Sequence, residues 1–367
     1  MDLLPEPFRT LLSFLVVLGV LVFIHELGHY LAARWRGVYV ERFSIGFGRA
    51  IATWQDRRGT EWRIAWLPLG GYVKLHGQEG VDDATPEQRA AWRPGETFHE
   101  KSVLDRAIVV AAGPIANFAL AVLLFAGLFA TIGQPVATTV IATVAEGSAA
   151  ARAGLQPGDR ILALDGTPVS RFEEVQRHIL PRAGVPMEIR VARAGGEEVL
   201  RATPEARPDS AEGRLGVGGG VPEFRRIGPV AALGVGAAHT WEVTVQTLSG
   251  LWQMISGQRG TEELGGPLRI AQLSGQVATM GLASLVSFIA VLSVNLGLIN
   301  LFPVPVLDGG HLVFYAMEAL RGRPLPPRAM EYGFRAGFAL LVALFVFATW
   351  NDLASFGVFR WAAALFG

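Results

Sequence analysis

Residues 22 to 37 read VFIHELGHYLAARWRG. His25 and His29 stand four residues apart, so on a helix their rings leave one face about one turn apart and can share one cation. Glu26 projects about 100° round the helix, where a carboxylate takes a proton from a metal-activated water instead of ligating. Ionisable groups in so apolar a run are costly unless they act. The sequence holds no cysteine, which excludes disulfides and thiolate metal sites and leaves any metal to His, Asp or Glu. A catalytic zinc usually takes three protein ligands and keeps one position for water.

The other histidines at 76, 99, 178 and 239 fall in loops or in soluble and interfacial parts. The third ligand is expected in NLGLINLFPVPVLDGGHL, residues 295 to 312, where Asp308 is the only carboxylate. Pro303 and Pro305 break the helix there, and Gly309 and Gly310 are expected to let the backbone turn sharply, so that Asp308 bends back toward a neighbouring helix. His311 is the rival ligand, or a residue that orients the site. Asn295 and Asn300 could bind substrate backbone or act as interhelical hydrogen-bond partners.

Positioning these groups falls to membrane helices. The 367 residues are 51% hydrophobic and 17% charged, too apolar for an average soluble globule. The net charge of zero supplies no field for a nucleic-acid partner. Four segments are long and apolar enough to cross a hydrocarbon core: 11–33, 107–132, 284–305 and 334–350. The opening residues, with Asp2 and Glu6 beside Arg9 and no small-residue cleavage site after the apolar run, do not read as a removable signal, so the first span is expected to be retained. Twelve basic residues between Arg34 and Arg106 put that loop in the cytoplasm. Arg321, Arg323 and Arg328 do the same for the loop after the third span. Both termini are then outside, and residues 227–257, interrupted by His239, Glu242, Gln246 and Gln253, read as interfacial. His25 lies about 14 residues, roughly 21 Å, into an inward-running helix, and Asp308 ends another inward-running one. Both therefore reach the cytoplasmic side.

Residues 135–222 read as a small α+β domain, with the strand-like RILAL at 160–164 and a helix from Phe172 to Leu180. AGLQPGD, residues 153–159, and the Asp165–Gly166 pair resemble a PDZ domain. In its circularly permuted bacterial form, GRLGV at 213–217 resembles the carboxylate-binding loop, with the backbone N–H groups of Leu215, Gly216 and Val217 facing a peptide C-terminus. Two alternating runs, RFSIGFG and EWRIAWLPLGGYVKL, flank the turn QDRRGT and suggest a β-hairpin. The alternative is an amphipathic cytoplasmic loop. The expected plan is thus a polytopic α-helical membrane protein: a membrane region 1–134 with the hairpin, an α+β domain 135–222, an interfacial segment 223–283 and a second membrane region 284–367. Gly113, Pro114 and Asn117 read as packing and kink residues of the second span.

HELGH in the first span, the PDZ-like insertion after the second and NLFPVPVLDG at 300–309 together resemble the site-2 protease family of intramembrane zinc metalloproteases. FSIGFG (43–48), LPLGGYVKLHGQ (67–78) and AAGPIANF (111–118) extend the likeness over nearly the whole chain. The resemblance implies one zinc held by His25, His29 and Asp308, Glu26 as general base, and Asn300, Pro303 and Pro305 as substrate-handling residues. It also implies a membrane-associated hairpin in which Gly46, Phe47 and Gly48 help to hold substrate by strand addition. The implied partners are membrane lipid, a single-span substrate such as an anti-sigma factor or a leftover signal peptide, and an upstream protease that trims that substrate first. The implied place is the bacterial inner membrane. One PDZ-like domain stands where the best-known relatives carry two in tandem. The competing readings are a non-catalytic scaffold that binds C-terminal tails and a metal transporter.

Overall fold

The computed structural model describes residues 5–79, 84–207, 210–219, 222–258, 260 and 265–356. It forms two compact units, Met1–Gly127 with Val230–Gly367, and Leu128–Pro229.

The first unit opens with helix α1 (Glu6–Trp35). Strands β1 (Val40–Gln55) and β2 (Glu61–Leu75) follow as an antiparallel hairpin. Its turn is closed by Asp56, whose carboxylate accepts from the N–H groups of Arg58 at 2.8 Å and Thr60 at 3.0 Å, the local bonding that suits Asp to turns. The hairpin curls, so that Phe43 lies opposite both Trp62 and Val73. Gly46 and Gly48 bend it with φ of 85° and 86°, a region side chains avoid. A short helix α2 (Pro86–Ala90), capped by Thr85, precedes α3 (Val103–Thr131), which carries Pro114 in its interior.

Residues of the second unit make β3 (Gln134–Ala137), β4 (Thr143–Val144), helix α4 (Ala149–Arg152), β5 (Arg160–Leu164), β6 (Thr167–Pro168), helix α5 (Phe172–Ile179), β7 (Met187–Arg193), β8 (Gly196–Ala202), β9 (Glu205–Arg207), β10 (Ser210–Arg214), β11 (Val217–Gly218) and β12 (Pro222–Arg225). The main sheet has order β6-β5-β7-β8, and β3 with β12, β4 with β11 and β9 with β10 form antiparallel pairs. Alternation in β7 turns Met187, Ile189 and Val191 inward onto Val175 and Ile179 of α5, the period-2 pattern of a half-buried strand. Buried Asp159 takes a two-pronged ion pair from Arg193, at 2.8 and 2.7 Å, and this holds its carboxyl below the usual range. A carboxylate lowered on folding stabilises the folded state above its unfolded value, near pH 4, and that support is lost as pH falls through the lower folded value. Asp159→Asn should therefore lower this unit's stability by about 1–3 kcal/mol at pH 7, and the difference should shrink as pH falls below about 4. Hydrogen exchange of residues 139–215 in the full-length protein checks it.

The chain returns through α6 (Pro229–Ile255), α7 (Pro267–Thr279), α8 (Leu282–Asn300), α9 (Asp308–Arg321) and α10 (Pro327–Ser355). Helices α1, α3, α8 and α10 are long and apolar enough to cross a membrane, matching the four expected spans. Among the described residues, the region expected to be interfacial holds two helices. The buried small side of α6, Ala232, Gly236, Thr240 and Thr244, meets Val122 and Ala126 of α3 at Gly236. Thr247 of the same helix donates to Asn295 of α8 at 3.0 Å, the interhelical role weighed for that asparagine. Buried Asp352 of α10 accepts from the N–H groups of Gly266, Leu268 and Arg269 at 2.8–3.1 Å. It caps α7 from a helix more than eighty residues away. Asp352→Ala should cost about 1–3 kcal/mol, read as a lower Tm in detergent, with Asp352→Asn milder because one oxygen remains.

Candidate metal centre

Packing around α1 decides where the two histidines point. Val17 and Leu21 of α1 pack with Leu285 and Ile289 of α8, while Ala32 and Ala33 join Val109 of α3 and Tyr315 of α9 in a second cluster. His25 and His29 lie between these two clusters. At Gly113 of α3 a Cβ would sit 2.5 Å from His29 Cε1 and 2.8 Å from Cδ2, so only glycine leaves room for the ring.

The third side chain arrives from the far end of the sequence. Helix α8 stops at Asn300, five residues short of the expected end, because residues preceding Pro303 and Pro305 are driven to extended conformations. The loop then tightens, with the N–H of Val304 donating to Phe302 O at 2.7 Å and Val306 at φ 92°. A β-branched residue there costs on the order of 1–3 kcal/mol. Gly309 and Gly310 do not turn the backbone as expected. They lie in the first turn of α9, where a Cβ on either would overlap carbonyl oxygens of Leu301, Phe302 or Val304. Their role is close approach, letting α9 fold back on the end of α8 with Asp308 as its first residue.

His25 Nε2 and His29 Nε2 are 3.2 Å apart, and Asp308 Oδ2 lies 3.2 Å from the first and 3.5 Å from the second. A tetrahedral zinc with bonds of about 2.0–2.1 Å separates its ligand atoms by roughly 3.3–3.4 Å, close to each edge of this triangle. Asp308 Oδ2 is buried and faces the two imidazole nitrogens, so three lone-pair-bearing atoms converge on one point, an arrangement that a shared cation satisfies. Among the described residues this is the one group of three donors close enough for a metal. His29 Nδ1 lies 2.9 Å from Val109 O. A carbonyl only accepts, so Nδ1 carries the proton and Nε2 keeps its lone pair. The donor set therefore fits zinc.

Glu26 neighbours both histidines and Asp308, with the backbone N–H of Val73 in reach of its carboxylate. Gly71 of β2 makes this approach possible, since a Cβ there would come within 3.0 Å of Glu26 Cγ and 2.8 Å of Val22 Cγ1. The side-chain face of β2 at Gly71 thus lies against Glu26.

Other expected site residues lie apart from the triangle. Asn300 donates from Nδ2 to Leu296 O of its own helix at 3.0 Å. Pro303 and Pro305 sit in the loop, with Pro305 pressed on Gly333 and Gly337 of α10. Gly46, Phe47 and Gly48 form the bent part of the hairpin, Phe47 stacking on Tyr72. His311 packs beside Phe334 and Tyr315, outside the triangle. In the second unit Leu215, Gly216 and Val217 line a groove of about 330 Å³ beside α5. Sequence reasoning missed Asn117, read as a packing residue: it is buried, with its side-chain amide 3.1 Å from His25 Nδ1. The available signal was an amide inside an apolar helix.

Comparisons with known proteins agree with this geometry. The model of Peptidase family M50 matches residues 13–344. A Rhizobium meliloti protein named as a zinc metalloprotease is 46% identical over 361 residues, covering 94% of this chain and 96% of its own. The metalloprotease MmpA of Caulobacter vibrioides is 38% identical, covering 97% and 98%. The regulator of sigma-E protease RseP of Salmonella typhimurium is 32% identical, covering 94% and 98%. This chain is thus an integral membrane protein belonging to peptidase family M50, the site-2 protease family of zinc metalloproteases.

Proposed function

We propose that the protein hydrolyses a peptide bond within or at the edge of the transmembrane segment of single-span membrane proteins. The observation that carries this is the Nε2–Nε2–Oδ2 triangle, with Glu26 beside it, built from the apolar helix α1 and from Asp308, which opens α9 after the apolar helix α8. His25, His29 and Asp308 would hold the zinc. A zinc held there would supply Lewis-acid chemistry, polarising a carbonyl and acidifying water. Glu26 takes the proton of the attacking water and returns it to the leaving amine.

A transmembrane helix hides its peptide bonds in internal hydrogen bonds and has to unwind before attack. The hairpin offers the unwound segment a strand to pair with. Gly46, Phe47 and Gly48 shape that strand, and exposed Ile51, Trp54 and Trp66 give it an apolar surface suited to the membrane. Asn300, Pro303 and Pro305, which precede Asp308 in the chain, would handle the substrate beside the metal. The basic loops support a site on the cytoplasmic side, with both termini and the PDZ-like unit outside. The groove beside α5, with the backbone at Leu215–Val217, suits a peptide C-terminus. These features, with the resemblance to RseP, favour an anti-sigma-factor-like substrate already trimmed by another protease, in the bacterial inner membrane.

The test is reconstitution of purified full-length protein with a single-span substrate lacking its outer domain. A chelator-sensitive cut inside the apolar segment is expected. Binding without cleavage would instead support a scaffold, and metal flux into vesicles a transporter.

A further inference from the structure

Asn117 lies one turn beyond Gly113 on α3 and is fully buried. Its Nδ2 is placed 3.1 Å from His25 Nδ1, and its Oδ1, also buried, has no partner. The two ends of a carboxamide exchange by a half-turn about χ2, and the chemistry of the facing group decides between them. With Nδ2 toward the ring, His25 Nδ1 accepts and the ring proton sits on Nε2. That proton would block the lone pair that the His25–His29–Asp308 triangle has to offer a cation. With Oδ1 toward the ring, Nδ1 carries the proton and donates it, and Nε2 is free.

The neighbouring ring supports the second arrangement. His29 Nδ1 faces an oxygen that can only accept, Val109 O, and both acceptors come from α3, eight residues apart. Oxygen acceptors behind metal-bound imidazoles fix tautomer and ring orientation, and losing one typically costs 10–100-fold in metal affinity. The backbone around Asn117 is itself held, since its carbonyl accepts from Ser293 Oγ of α8 at 2.8 Å.

We propose that Asn117 is a positioning residue whose side-chain oxygen holds His25 in the Nδ1-protonated form with Nε2 free for zinc. This rests on His25 being a zinc ligand. Zinc affinity of the full-length protein in detergent, measured by competition with a chromophoric chelator, tests it. Asn117→Leu should bind zinc about 10–100-fold more weakly. Asn117→Asp, which offers only oxygens, should stay within about threefold of the parent protein. Wild-type affinity in the Leu variant, or an Asp variant as weak as Leu, overturns the proposal.

A measurement on the unmutated protein guards against loss of folding in the variants. In zinc-loaded protein with ¹⁵N-labelled histidine, His25 should show a protonated Nδ1 and a metal-bound Nε2. A protonated Nε2 there overturns the proposal. Failure of the unmutated protein to bind zinc would instead sink the assignment of His25 as ligand, so the two failures are distinguishable.

Discussion

Glu26→Gln should abolish cleavage of a reconstituted single-span substrate while leaving one zinc per chain. Gln keeps the shape of the side chain but cannot take a proton from water, and positioned proton transfer contributes typically 10²–10⁴-fold. The loss should appear in kcat, with KM little changed, because Glu26 lies beside the donor triangle and against the strand at Gly71 without closing either. Cleavage at the parent rate by the Gln variant would remove Glu26 from the mechanism. Loss of zinc together with activity would make it part of the metal site instead.

Gly113→Ala should disable the protein by another route. The added methyl would overlap Nε2 and lie 2.5 Å from Cε1 of His29, and the ring cannot step aside without giving up its bond to Val109 O. His29 then leaves the triangle, and zinc affinity should fall at least about 100-fold, the upper end for a lost supporting contact, with activity falling alongside. Gly127→Ala is the matched control on the same helix, where a Cβ meets nothing within 4 Å. That variant should bind zinc normally. If Gly113→Ala also does, the close packing of α1 on α3 does not hold the site.

The pairing of His25 with His29 was legible because four residues on a helix is a local relation. Asp308 was legible less directly, through the sidedness of two inward-running spans and the absence of another carboxylate near the third. The unread features depend on neighbours distant in sequence. Asn117 touches a histidine 92 residues earlier, and Asp352 caps a helix that begins 85 residues before it. Gly309 and Gly310 were noticed but given the wrong reason. Glycine serves both turns and tight contacts, and only the folded loop shows which. The early end of α8 has a local cause in Pro303 and Pro305, yet proline does not fix the stopping residue.

The placement of Gly71 between Ser44 O, Val22 and Glu26 bears on how accurately a substrate would be cut. A peptide added to the hairpin edge is ruled off in steps of about 3.3 Å per residue. Slipping it by one residue also swaps which side chains face the bilayer. On the strand-addition reading the edge acts as a gauge. The scissile bond is then chosen by alignment along the sheet, and a substrate should break at one bond, or at a second bond two residues away, instead of over a ragged range.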